Sequence, residues 1–137
     1  MQYQDWIKGP HSRVSGLTCT TCHDPHKGSL SYRTGQLRGE ERSLCGTCHE
    51  SIVADPKKHS GHRHEVASCA ACHLPKTIAS GTVSNHTFEA IPPSKSLQYV
   101  DEKTGKPKMP NSCGLYCHTK ESAAALDEKY TAIFKKK

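Results

Sequence analysis

Apolar positions are sparse along this chain, and only one stretch repeats them at helical spacing. From Thr119 onward, strong helix formers carry an apolar stripe at Leu126, Tyr130, Ile133 and Phe134, which predicts one clear C-terminal helix. The terminal Lys135, Lys136 and Lys137 suit the negative end of that helix and should fray. Elsewhere polar and turn-forming residues dominate. Gly9-Pro10 and Gly16 mark turns, residues 27–44 read as a Gly-, Ser- and Arg-rich loop, and residues 100–108 read as a solvated polar turn. No run is apolar enough to span a membrane.

Composition sharpens this picture. With 137 residues, a single domain covering residues 1–137 is expected. Only 34% of residues are hydrophobic and 6% aromatic, alongside 10 Gly and 8 Pro, which is too polar for an ordinary core. Without a cofactor such a chain leans toward disorder.

The cysteines supply what the core lacks. All eight fall in four repeats of one pattern: Cys19-Thr-Thr-Cys22-His23, Cys45-Gly-Thr-Cys48-His49, Cys69-Ala-Ala-Cys72-His73 and the longer Cys113-Gly-Leu-Tyr-Cys117-His118. His makes up 10 of 137 residues, so chance would place one after all four second cysteines with a probability on the order of 10⁻⁵. A C-x-x-C-H run attaches a c-type haem, the two thiols forming thioethers and the adjacent His becoming the proximal iron ligand. Zinc is the competing reading, since C-x-x-C pairs are also halves of Cys₄ and Cys₂His₂ sites. It accounts for the thiol pairs but not for four adjacent histidines, and C-x-x-C disulfides would close loops too small to stabilise much. Four covalently bound haem c groups are expected, about 34 residues to each, with the macrocycles serving as the core and folding dependent on them. The extra residue between Cys113 and Cys117 widens that loop without removing a ligand, so it reads as a fourth site, with single-thioether attachment as the fallback.

Six further histidines are candidates for the opposite face of each iron. His11 lies eight residues before Cys19, with enough chain to reach round to a distal face. His26, in Asp24-Pro25-His26, is too close to His23 to serve the same haem and would clamp a neighbour. In His59-Ser-Gly-His62-Arg-His64, His62 and His64 are preferred to His59. His86 occupies the long gap of 45 residues between His73 and His118 and reads as the distal ligand of the third or fourth haem. The proximal histidines recur after 26 and 24 residues at His49 and His73, as expected of stacked units too small to stand alone. Met109 is a poor ligand candidate so near Cys113, and Trp6 reads as a packing residue.

The formal charge of +6 is offset by the cofactors. An oxidised haem contributes about −1 once its propionates are counted, so four bring the protein near neutrality and the lysines give no ground for nucleic-acid binding. Met1 to Lys8 lacks the apolar segment of a secretory signal. Since covalent haem attachment occurs outside the cytoplasmic membrane, an exported periplasmic or extracellular protein is expected, its chain a processed form or a piece of a longer one.

With these residues in hand the chain resembles the doubled-C-x-x-C-H multihaem cytochrome c superfamily. Gly16-Leu-Thr-Cys-Thr-Thr-Cys-His-Asp-Pro-His26, preceded by Trp6 and His11, is similar to the segment around an early haem of ammonia-forming cytochrome c nitrite reductases. Cys72-His-Leu-Pro75, Asn85-His-Thr-Phe88 and Pro110-Asn-Ser-Cys113 resemble the order of motifs in larger members. The resemblance implies a mostly irregular fold of short α-helices wrapped round a haem stack, with one longer C-terminal helix and little or no β-structure, haems packed in parallel and perpendicular pairs, and His11, His26, His62 or His64, and His86 as distal ligands. Every motif here ends in His, where the catalytic haem of those reductases typically carries Lys. Closed bis-His haems leave no place for substrate, so electron transfer to redox partner proteins or extracellular acceptors is the economical function and an enzyme the less economical one. The alternative is a homopolymer, a conducting filament similar to those of small tetrahaem cytochromes, with a ligand such as His11 donated between subunits.

Overall fold

The computed structural model describes residues 2–27, 36–77 and 83–134. Lys135 to Lys137, and residues 28–35 of the loop expected over 27–44, lie outside the described residues. Short helices follow one another along the chain: α1 (Gln2–Trp6), a 3₁₀ turn (Pro10–Arg13), α2 (Cys19–Cys22), α3 (Glu41–Gly46), α4 (Glu50–Ala54), α5 (Pro56–Ser60), α6 (Cys69–His73), α7 (Pro93–Gln98) and α8 (Ala123–Phe134). Among the described residues only α8, at 12 residues, exceeds two turns, as its apolar stripe predicts. Among the described residues β-structure is confined to two isolated antiparallel bridges, His23 with Leu37 and Val100 with Pro107. The second closes the polar turn at residues 100–108, where Asp101 Oδ1 accepts the backbone N–H groups of Lys103 and Thr104.

The apolar core is small. Among the described residues Ile91, Ala123 and Leu126 are the buried hydrophobic side chains, joined by Pro75 and Pro93. Pro93 lies on α7 and Ala123 and Leu126 on α8, and these two helices pack against each other. Beside them lies a buried polar network that fixes chain crossings. The Ser96 hydroxyl donates to the Met109 carbonyl at 2.7 Å and accepts from Asn111 Nδ2 at 3.1 Å. Asn111 Oδ1 in turn accepts the Gly114 N–H at 2.8 Å. Ser112 donates its hydroxyl to the Cys72 carbonyl at 2.8 Å and accepts the Ile91 N–H at 2.9 Å, tying the third cysteine motif to the fourth. Every polar atom of these links is satisfied within the protein, as burial demands.

Two other crossings position the remaining motifs. Glu41 Oε1, on α3, accepts the Ala70 N–H at 2.9 Å and so holds the first turn of α6 against the second motif. At the N-terminus Gly9 is buried face to face with the Thr87 backbone. A Cβ at position 9 would lie 2.2 Å from the Thr87 carbonyl oxygen, so only glycine permits this approach. Gly9→Ala should therefore lower stability by about 1–3 kcal/mol, the usual range for forced overpacking, read as a shift of the denaturant midpoint of the haem-loaded protein.

Candidate haem sites

The three C-x-x-C-H motifs sit on single helical turns whose closure explains the spacing. In the first two, the His N–H bonds the carbonyl of the first cysteine four residues back, His23 to Cys19 and His49 to Cys45, each at 2.9 Å. Both sulfurs and the imidazole thereby leave one turn together. Thr18 and Ser68 cap α2 and α6, Ser68 accepting the Ala71 N–H. The longer fourth motif keeps the same closure with a wider ring: the His118 N–H reaches the Cys113 carbonyl at 3.0 Å, now five residues back. The inserted residue is absorbed as a π-type turn, which returns His118 to the position its counterparts hold.

Each motif histidine faces one histidine from outside the motifs. Ring centroids lie 6.1 Å apart for His23 and His86, 5.9 Å for His49 and His11, 6.0 Å for His73 and His59, and 6.0 Å for His118 and His62. Two imidazoles bound on opposite sides of one metal ion, through metal–nitrogen bonds of about 2.0 Å, have centroids about 6.3 Å apart. Four recurrences of that separation, each joining a motif to a distant part of the chain, fit a metal between each pair.

The hydrogen bonds on the far side of the rings agree. His73 Nδ1 bonds the Phe88 carbonyl at 3.0 Å, His62 Nδ1 the Ser60 carbonyl at 2.9 Å and His86 Nδ1 the Ser84 carbonyl at 2.9 Å. A carbonyl can only accept, so these Nδ1 atoms carry the proton and Nε2 keeps its lone pair for a metal. His118 Nδ1 bonds the carboxylate of Glu121 at 2.6 Å. His11 Nδ1 is a buried nitrogen with no hydrogen-bond partner. Burial first, then the neighbouring imidazoles of His49 and His73, hold His11 below the usual histidine range and so neutral.

Local backbone devices explain which histidine reaches which motif. Gly61, at φ +78°, reverses the chain at the end of α5, its N–H bonding the Lys57 carbonyl. His59 before the turn faces His73, while His62 after it faces His118. His64 falls outside the pairs: its Nε2 is buried without a hydrogen-bond partner, in a cluster with Glu41 and Cys69. His26 is exposed and also outside the pairs, its backbone N–H bonded to Asp24 Oδ1. His86 stands against the first motif rather than the third or fourth, because the Gly9–Thr87 contact folds residues 83–91 back onto the N-terminal segment.

Phe88 carries weight that its sequence position does not reveal. Its ring lies 4.3 Å from His11 and 5.9 Å from His86, and its carbonyl holds His73, so one residue touches a member of three pairs. It does so at φ +59°, an outlier for a bulky side chain.

Beside the imidazoles lie the motif thiols. None is in a disulfide. Burial pushes the Cys45 thiol up to about 12 and the Cys72 thiol to about 11, the nearest neighbouring thiols adding to both. Those neighbours give the order of the sites. Cys22 lies near Cys48, Cys45 near Cys69, and Cys72 near Cys113 and Cys117. At the fourth motif an open cavity of about 290 Å³ is bounded by His62, His118, Cys72, Cys113 and Cys117, with Tyr116 at its rim. Zinc finds no comparable seat. Among the described residues the group of potential ligands that converges is Glu41, His64 and Cys69, without the Cys₄ or Cys₂His₂ set of a structural site.

Comparison with known proteins gives the same answer for the fold. Residues 11–54, which hold the first two motifs, match the family model of the doubled CXXCH motif, that of covalently bound c-type haem. The crystal structure of the outer cell wall cytochrome OcwA superposes with a TM-score of 0.59 at 19% identity, over 96% of this chain and 37% of that one. The chain has the fold of a multihaem c-type cytochrome. No curated protein matches it in sequence. Among the described residues no helix is long and apolar enough to cross a membrane.

Proposed function

We propose that the chain holds four c-type haems, each closed by two histidines, and passes electrons along them in the order of its motifs. The observation that carries this reading is the set of four His–His pairs near 6 Å, each made of one motif histidine and one other. His23 with His86, His49 with His11, His73 with His59 and His118 with His62 are the ligand pairs. Cys19 and Cys22, Cys45 and Cys48, Cys69 and Cys72, and Cys113 and Cys117 form the thioethers. Each haem supplies a one-electron iron couple, Fe(III) to Fe(II), with no bond made or broken to substrate.

The residues account for the rest. The two histidines of each pair would together hold a haem iron through Nε2, leaving little to rearrange on electron transfer. They also leave no position for substrate, which supports a carrier over an enzyme. Cys22 lies near Cys48, Cys45 near Cys69 and Cys72 near Cys113, so thioethers at these thiols would hold consecutive haems close enough for electron transfer between them. All-imidazole ligation keeps potentials below those of His/Met sites. Export follows from the chemistry of attachment, and the partners are redox proteins or extracellular acceptors. A filament with His11 shared between subunits finds less support, since His11 faces His49 of its own chain.

A haem count per chain by pyridine haemochrome, with a spectroelectrochemical titration, tests the proposal. Four haems, all low-potential, are expected. A count of three, or one couple in the range of His/Met cytochromes, overturns it.

A further inference from the structure

Of the four imidazoles whose Nδ1 bonds are described above, three bond carbonyls and one bonds a carboxylate. Glu121 Oε1 lies 2.6 Å from His118 Nδ1, and Glu121 Oε2 is bonded by the Lys129 ammonium from two turns along α8. The carboxylate and imidazole are both only about one-third exposed, so water screens the contact incompletely. Three local features hold it in place. The Glu121 N–H bonds the His118 carbonyl, Ser122 caps α8 by accepting the Ala125 N–H, and α8 is fixed by buried Leu126.

We infer that Glu121 is a positioning and tuning residue for the fourth haem, its carboxylate drawing the Nδ1 proton and making His118 a more electron-rich ligand than a carbonyl-bonded imidazole. This rests on the reading of His118 as an iron ligand. A more basic ligand favours the oxidised iron, so the fourth site is held at a lower potential than His118 would set alone. Lys129 opposes this, because its charge draws electron density from the same carboxylate. The site thus has two controls of opposite sign within one side-chain chain, His118 to Glu121 to Lys129.

The opposite signs make the test decisive. Redox titration of the haem-loaded protein would be compared for Glu121→Gln, Lys129→Gln and Glu128→Gln, the last removing the same charge from an exposed position of α8 away from His118. In Glu121→Gln one midpoint should rise by at least a tenfold change in the reduced-to-oxidised ratio at fixed potential, about 59 mV for one electron. In Lys129→Gln that same midpoint should fall, and in Glu128→Gln none should move comparably. Unmoved midpoints in both variants, shifts of the same sign, or an equal shift of all four would overturn the inference. The unmodified protein separates the two claims. If it carries four low-spin haems and the variants leave its midpoints in place, only the role of Glu121 fails. A count of three haems, with the fourth motif unmodified, would remove the ligand reading and this inference together.

Discussion

Replacing His59 by alanine should strip the sixth ligand from one haem and leave the other three intact. About a quarter of the iron is then expected to turn high-spin, while His64→Ala leaves every haem low-spin. The contrast is sharp because the two histidines lie five residues apart and look interchangeable in sequence. Geometry separates them. His59 stands 6.0 Å from His73, ring planes 22° apart, and Phe134 of α8 packs against its edge at 6.1 Å. His64 is turned toward Glu41 and Cys69. Alanine at position 59 removes a ligand and leaves a gap that α8 cannot fill, since Ile133 already sits 3.0 Å from where a Cβ on Gly61 would be. Absorption and magnetic circular dichroism spectra of the two variants provide the readout. A high-spin signal from His64→Ala with none from His59→Ala would reverse the assignment.

Preventing haem attachment should abolish the fold altogether. The chain made without haem, or with the eight cysteines changed to serine, is expected to show no cooperative thermal transition and little protected amide hydrogen. The reason lies in the core: Ile91, Ala123 and Leu126 are its buried hydrophobic side chains among the described residues, and they cannot offset the entropy of ordering the rest. Tyr3, Val66, Tyr99 and Tyr116 are all substantially exposed, so no second apolar cluster among them stands in reserve. Folding and cofactor attachment are thus one event, as in other small metal-nucleated domains. Circular dichroism and hydrogen exchange on the haem-free chain check this. A native-like melt would show that the polypeptide has a core of its own.

The extent to which sequence foretold this molecule differs from residue to residue. The four motifs, the scarcity of strands and the single long helix are legible because each depends on residues adjacent in the chain or spaced by a helical period. Leu126, Tyr130, Ile133 and Phe134 announce α8 in that way. The matching of distal histidines is not legible, since it depends on distant backbone. His86 meets His23 because Gly9 can press against Thr87, a contact of two residues 78 apart that no local pattern encodes. That His59 faces His73 while His62 faces His118 turns on one left-handed glycine, Gly61. Gly61 was visible in the sequence as the break between the two histidines, a signal that the flanking side chains diverge. Phe88 gave no warning, because its importance resides in its carbonyl and its positive φ. The five-residue closure of the fourth motif shows why an inserted residue need not displace the histidine: the hydrogen bond to Cys113 is kept and the turn widens.

The central claim, four irons each held between two imidazoles, is tested most directly by electron paramagnetic resonance of the fully oxidised protein. The ring planes of the pairs fall into two classes, 80° and 68° for His11–His49 and His62–His118, against 22° and 35° for His59–His73 and His23–His86. Crossed imidazoles give a strongly anisotropic low-spin signal and near-parallel ones a rhombic signal. Two haems of each kind and no high-spin iron are the predicted spectrum. A high-spin component at the level of one haem per chain would contradict the account, because it would leave one of the four pairs without a metal between its rings.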